Sequence, residues 1–105
     1  MNTIIERVGG GPVSLDAFAD EHRLIMRVTE RAVDSGLPRY LARFEHVEIS
    51  RHGLLIGEFG NGETPAEAIQ NYAHLIRGQR LVFGAYGPDR KTFTAPNEWL
   101  VKEKA

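Results

Sequence analysis

The run Thr64, Pro65, Ala66 and Glu67 constrains this chain more than any other. Threonine suits a helix N-cap because its hydroxyl accepts a free backbone N–H of the first turn. Proline suits the next position because its missing N–H has no partner there in any case. A glutamate three residues after the cap can return a bond to the backbone. A helix is therefore predicted to begin here and to end at Gly78, whose freedom at positive φ allows the chain to turn away. Ala66, Ile69, Ala73 and Ile76, with Tyr72 beside them, make its predicted buried stripe, and Glu67, Gln70, Asn71 and His74 the other side.

Before that helix the apolar period is two. A first helix is expected over residues 15–23, capped by Ser14 and carrying Asp16 in its first turn, with Leu15, Phe18, Ala19 and His22 on one face. Leu24, Met26 and Val28 then alternate with Ile25, Arg27 and Thr29, giving a strand. Asp34, Ser35, Gly36 and Pro38 mark a loop. Along residues 39–49, Tyr40, Ala42 and Phe44 share one parity while Val47 and Ile49 take the other, so a bulge near Glu45 and His46 is required. Ser50, Arg51, His52 and Gly53 turn the chain into a return strand over residues 54–59. After the second helix, residues 80–86 and 91–94 read as strands around a turn at Gly87, Pro88, Asp89 and Arg90.

The expected fold is α+β: a two-layer sandwich in the order helix, three antiparallel strands, helix, followed by a C-terminal strand or hairpin. Gly9, Gly10, Gly11 and Pro12 separate a flexible arm, residues 1–13, from a single domain at 14–95. Residues 96–105 read as a tail in which Trp99 either folds back on the core or stands exposed.

Composition narrows the function classes. With no cysteine, the chain has neither a disulfide framework nor a thiolate metal site or nucleophile, which points to the cytoplasm, as does the absence of a signal-peptide pattern. No apolar run reaches the roughly 18 residues of a membrane span. Thirteen Lys and Arg against fourteen Asp and Glu leave a net charge of −1, which is not the balance of a protein that grips nucleic acid by bulk charge. His22, His46, His52 and His74 make no metal-ligand spacing, and Ser14 and Ser50 have no nucleophile-elbow context. Neither Gly9 to Gly11 nor Gly60-x-Gly62 has the surroundings of a phosphate loop. The expectation is a non-enzyme without metal or cofactor.

The stretch from Gly36 to Phe44, the hairpin, and then Gly60, Gly62, Thr64 and Ala68 resemble the double-stranded RNA-binding domain. There a glycine-x-glycine-x-serine/threonine segment enters the second helix. The resemblance covers about residues 15–78 and implies that family's fold. In the family the second helix opens with lysines that hold phosphates. The matching positions here are Pro65, Ala66 and Ile69, flanked by Glu63 and Glu67, which would repel a duplex. Residues 62–68, Gly-Glu-Thr-Pro-Ala-Glu-Ala, also resemble the helix entry of HicB-type antitoxins, and the whole chain resembles small phage and prophage proteins.

Positive charge could still gather locally. Arg39, Leu41 and Arg43 on one strand, Arg51 and His52 at its turn, Arg77 and Arg80 after the second helix, and Arg90 and Lys91 form the candidate binding surface. The competing arrangement is a solvated face whose arginines pair with Glu45, Glu48 and Glu58. Ile25, Leu41 and Leu55, if exposed together, would form an apolar patch ringed by arginine. The expected function is a small non-catalytic cytoplasmic binding protein, an accessory factor or host-defence inhibitor of phage or prophage origin that contacts another protein or a second copy of itself. Nucleic-acid binding and a HicB-like antitoxin role are the alternatives.

Overall fold

The computed structural model describes residues 13–100, so most of the proposed arm and the last five residues lie outside the described residues. The order is α1 (Leu15–His22), β1 (Met26–Glu30), β2 (Tyr40–Phe44), β3 (Val47–Arg51), β4 (Leu54–Ile56), β5 (Gly60–Gly62), α2 (Pro65–Ile76), β6 (Arg80–Phe83) and β7 (Lys91–Thr94). The class is α+β. Among the described residues the strands form two antiparallel sheets, ordered β1-β2-β5 and β4-β3-β6-β7.

The two sheets share one bent run of chain. Residues 40–51 enter the first sheet as β2 and leave it as β3 of the second. The break falls at Glu45 and His46, where His46 takes a left-handed φ of 60°. The parity of burial changes there: Ala42 and Phe44 are buried before it, Val47 and Ile49 after it. One extra residue at the bend lets both halves keep their apolar side chains on one side. The return strand is split as well. β4 pairs with β3, residues 57–59 leave the ladder, and β5 rejoins by pairing with β2. The β3–β4 turn has positive φ at both central residues, His52 (51°) and Gly53 (78°), which matches the right-handed twist of the strands it joins.

Both helices cover the same face. Phe18 of α1 meets Phe44 of the first sheet and Phe93 of the second, at ring-centroid distances of 6.4 and 5.7 Å. Tyr72 of α2 packs edge-on against Phe44 at 5.5 Å. Fully burying a side chain such as Phe44 stabilises by roughly 1.5–3 kcal/mol, and Phe44, Val47, Ile49, Tyr72, Ile76 and Leu81 are all at 2 % exposure or less.

The caps form as the sequence predicts. Ala17 N–H donates to the Ser14 hydroxyl, Glu67 N–H to the Thr64 hydroxyl, and Glu63 N–H to the Glu67 carboxylate. The buried stripe of α2 differs by one position: Ala66 is exposed and Ala68 is fully buried. The cause is the seating of the helix, which rests its backbone on β5. A Cβ at Gly60 would collide with Tyr72 N and Ala68 O, and one at Gly62 with Ala68 N. The two glycines make this approach possible, and Ala68, fully buried, lies at the contact.

The packed chain reaches beyond residues 14–95. Val13 is buried and forms a parallel bridge with Trp99, whose ring lies 5.3 Å from that of Phe18. Trp99 thus folds back on the core.

Candidate functional site

Of the expected basic residues, Arg39, Arg43 and Arg51 follow one another along the bent strand, and Arg77, Arg80, Arg90 and Lys91 lie at the end of α2 and around β6 and β7. Arg39 stands at the start of the bent strand, where Arg31 N–H donates to the Arg39 carbonyl. Arg51 stands at its end, next to Ser50, which faces Arg80 across the ladder. Four of the cations are engaged within the chain. Arg39 Nε donates to Glu30 at 2.8 Å, and the Tyr40 hydroxyl donates to the same carboxylate oxygen at 2.9 Å. The bond from Arg39 holds the Glu30 carboxyl below the usual range, while Arg39 and Tyr40 are pushed up by their bonds to Glu30. Arg43 donates to Val47 O at 3.1 Å and Arg77 to His74 O at 3.3 Å. Lys91 donates to His22 O and sits over the Phe83 ring at 5.0 Å. Arg51, His52, Arg80 and Arg90 are exposed, two at the hairpin tip, one on β6 and one before β7.

The expected apolar patch is not assembled either. Leu41 and Leu55, both half-buried, belong to different sheets, and Ile25, 63 % exposed, precedes β1. Separate strand pairing of β2 and β4 is the reason.

Two concavities flank the bend on the helix-free side. One of about 400 Å³ is lined by Arg27, Arg43, Glu45, His46 and Glu48, and one of about 330 Å³ by His46, Glu48 and residues 84–87. Arg27 grips Glu45 at 2.5 and 3.0 Å. His46 meets Phe83 edge-on at 6.2 Å. Neither lining includes a serine, threonine, cysteine or lysine, and among the described residues no group of three or more His, Cys, Asp or Glu is placed to hold a metal ion. No described helix is long and apolar enough to cross a membrane.

A third feature combines exposed apolar surface with acid. The β1–β2 loop, residues 31–38, is fastened at its base by Arg31, whose N–H donates to Arg39 O and whose guanidinium donates to Pro38 O, both at 2.7 Å. Within it Ser35 N–H donates to Ala32 O, Leu37 N–H donates to the Ser35 hydroxyl, and Gly36 takes a φ of 75°. This ordered loop presents Val33 at 91 % exposure and Leu37 at 62 %. Ala32, Val33, Leu37, Arg39 and Glu63 line a shallow space of about 220 Å³ between the loop and the start of α2.

No protein-family model, curated protein or solved structure matches this chain. Its chemistry has to be read from its own residues.

Sequence reasoning passed over the loop because Val33 and Leu37 fall among turn residues, outside any periodic run. Their signal is that isolation: large apolar side chains in a polar turn have no helix or strand face to bury them. Glu45, expected to pair with the candidate-surface arginines, pairs with Arg27 outside that set, and Arg39 pairs with Glu30.

Proposed function

We propose that this chain is a non-catalytic binding module that engages another protein through the β1–β2 loop and the adjoining start of α2. The observation that carries the reading is the pair Val33 and Leu37, held out to solvent by a hydrogen-bonded loop beside Glu63. Burying such side chains is favourable at about 25 cal/mol per Å² of apolar surface, and an ordered loop loses little further freedom when it docks. The acids Glu63 and Glu67, both exposed, favour a partner with an apolar centre and a basic rim.

Residues 15–78 resemble a double-stranded RNA-binding domain in sequence, and the start of the second helix is the part that this resemblance assigns to phosphate contact. Here that region offers carboxylates where phosphates would have to sit. A charge-assisted grip on a duplex needs Lys or Arg at those points. An accessory or inhibitory factor that works by covering a partner's surface fits the same residues.

The test is capture of a partner on the immobilised chain, compared between the native protein and a Val33→Asp, Leu37→Asp variant whose fold is verified by circular dichroism. The reading expects one stoichiometric partner that the variant loses. Equal capture by both, or salt-sensitive binding of a short RNA duplex by the native chain, would overturn it.

A further inference from the structure

The strand β1 is an open sheet edge whose hydrogen-bonding pattern suits pairing with itself. Glu45 N–H donates to Ile25 O at 2.9 Å and Arg31 N–H to Arg39 O at 2.7 Å, and Met26 lies opposite Phe44. In an antiparallel ladder these bonds fix the odd-numbered β1 residues as those whose backbone groups point at β2. The N–H and C=O of Met26, Val28 and Glu30 therefore point away from the sheet, with no partner among the described residues.

Proteins commonly blunt such edges with proline, lysine, a bulge or shortness. β1 carries the charged Arg27 and Glu30 but no proline, lysine or bulge, and it runs five residues, Met-Arg-Val-Thr-Glu, in continuous register. Of the other edge strands, β4 and β5 have three residues each, and β7 has four and opens with Lys91.

We propose that a second copy of this chain pairs antiparallel with β1 about a two-fold axis through Val28, joining the two first sheets into one. A residue whose N–H and C=O both face outward can exchange both bonds with its own counterpart across a two-fold axis. Val28 is the midpoint of β1 and meets that condition. In this register Val28 faces Val28, Met26 faces Glu30, and Arg27 faces Thr29, so no charge directly opposes its like. The two Arg27 side chains are diagonal neighbours across the axis, and each is neutralised by its own Glu45 at 2.5 Å. Val28, 37 % exposed, would gain an apolar neighbour in its own counterpart. The inference is independent of the loop surface.

Light scattering behind size exclusion, from low to high micromolar concentration, tests it on the full chain. The native protein is expected to approach twice its 11.7 kDa mass as concentration rises. Val28→Pro removes the N–H at the axis without removing a β1–β2 bond, and proline is tolerated on an edge. It should weaken the dimer by at least about tenfold. Thr29→Lys sets a cation against the other copy's Arg27 at an exposed position, and should weaken the dimer in a manner relieved by salt. Circular dichroism confirms that each variant is folded. A native chain that stays monomeric throughout, or a dimer that neither substitution weakens, would overturn the proposal.

Discussion

The indole Nε1 of Trp99 donates to the backbone carbonyl of Ala73 at 2.7 Å. α2 ends at Ile76, and the next N–H, that of Arg77, donates to His74 O, so the Ala73 carbonyl receives no bond from within its helix. A side chain far along the sequence thereby caps the helix while its ring packs against Phe18. Trp99→Phe keeps most of the packing and should cost about 1 kcal/mol, the net worth of one hydrogen bond. Trp99→Ala loses both and should cost about 3 kcal/mol, the low end for truncating a large aromatic because the residue is only partly buried. Urea unfolding of the three proteins measures both; equal midpoints for native and Trp99→Phe would show that the bond contributes nothing.

Gly60 meets the backbone of α2 at a distance that excludes any side chain. Gly60→Ala must lift the helix off β5, and overpacking against backbone, which cannot rotate aside, should cost about 3 kcal/mol or more. Gly57→Ala is the control. A Cβ there meets only the Arg43 guanidinium at 3.6 Å, and the φ is not left-handed. That substitution should be neutral or stabilise by up to about 1 kcal/mol through the unfolded chain. Thermal unfolding distinguishes the two, and similar losses for both would refute the close-approach account.

This contact marks where the sequence stopped being legible. Ser14, Thr64 and Glu67 announce their caps because capping is a matter of a few adjacent residues. The parity change between Phe44 and Val47 likewise announces the bend at His46. β5 is different: two of its three residues are glycines, so no side-chain period exists to reveal a strand, and the segment reads only as a corner. The contact with β5 puts Ala68 inside in place of Ala66, while Ile69, Tyr72, Ala73 and Ile76 keep the places that the helical period gives them. The engagement of the candidate surface's cations within the chain has a related origin. Arg39 is tied to Glu30 and Lys91 to His22 O by register and by tertiary packing, neither of which is written in local spacing.

The loop carrying Val33 and Leu37 is proposed to serve binding rather than folding. Val33→Asp with Leu37→Asp should therefore change stability by no more than about 0.5 kcal/mol, as for other exposed positions remote from packed groups. Arg31→Ala should behave differently, because it removes the guanidinium donor to Pro38 O and loosens the base of the loop. Amide hydrogen exchange across residues 31–38 should quicken in Arg31→Ala and stay near native in the double variant. Strong destabilisation by the double variant would show that these side chains pack, and would remove the ground for reading them as a docking surface.

His22 supplies a dependence on pH. Its ring stacks on Phe93 at 4.2 Å with an 11° tilt, and partial burial lowers its pKa from the ordinary 6.5, against the opposing pull of Glu21 and with a further push from Lys91. The folded chain thus holds a proton on His22 less readily than the unfolded chain does. Stability from this group is complete above about pH 6.5 and declines as pH falls through and below that value, because the unfolded state then binds more protons. Chemical denaturation at a series of pH values should show this decline, and His22→Phe, which cannot protonate but can still stack, should flatten that part of the curve. Phe93→Ala opens the site to water and should move the His22 titration midpoint, followed by nuclear magnetic resonance of the ring protons, back up toward the ordinary value. A His22 midpoint at or above 6.5 in the native protein would mean that Glu21 outweighs burial and that the sign of the pH dependence is reversed.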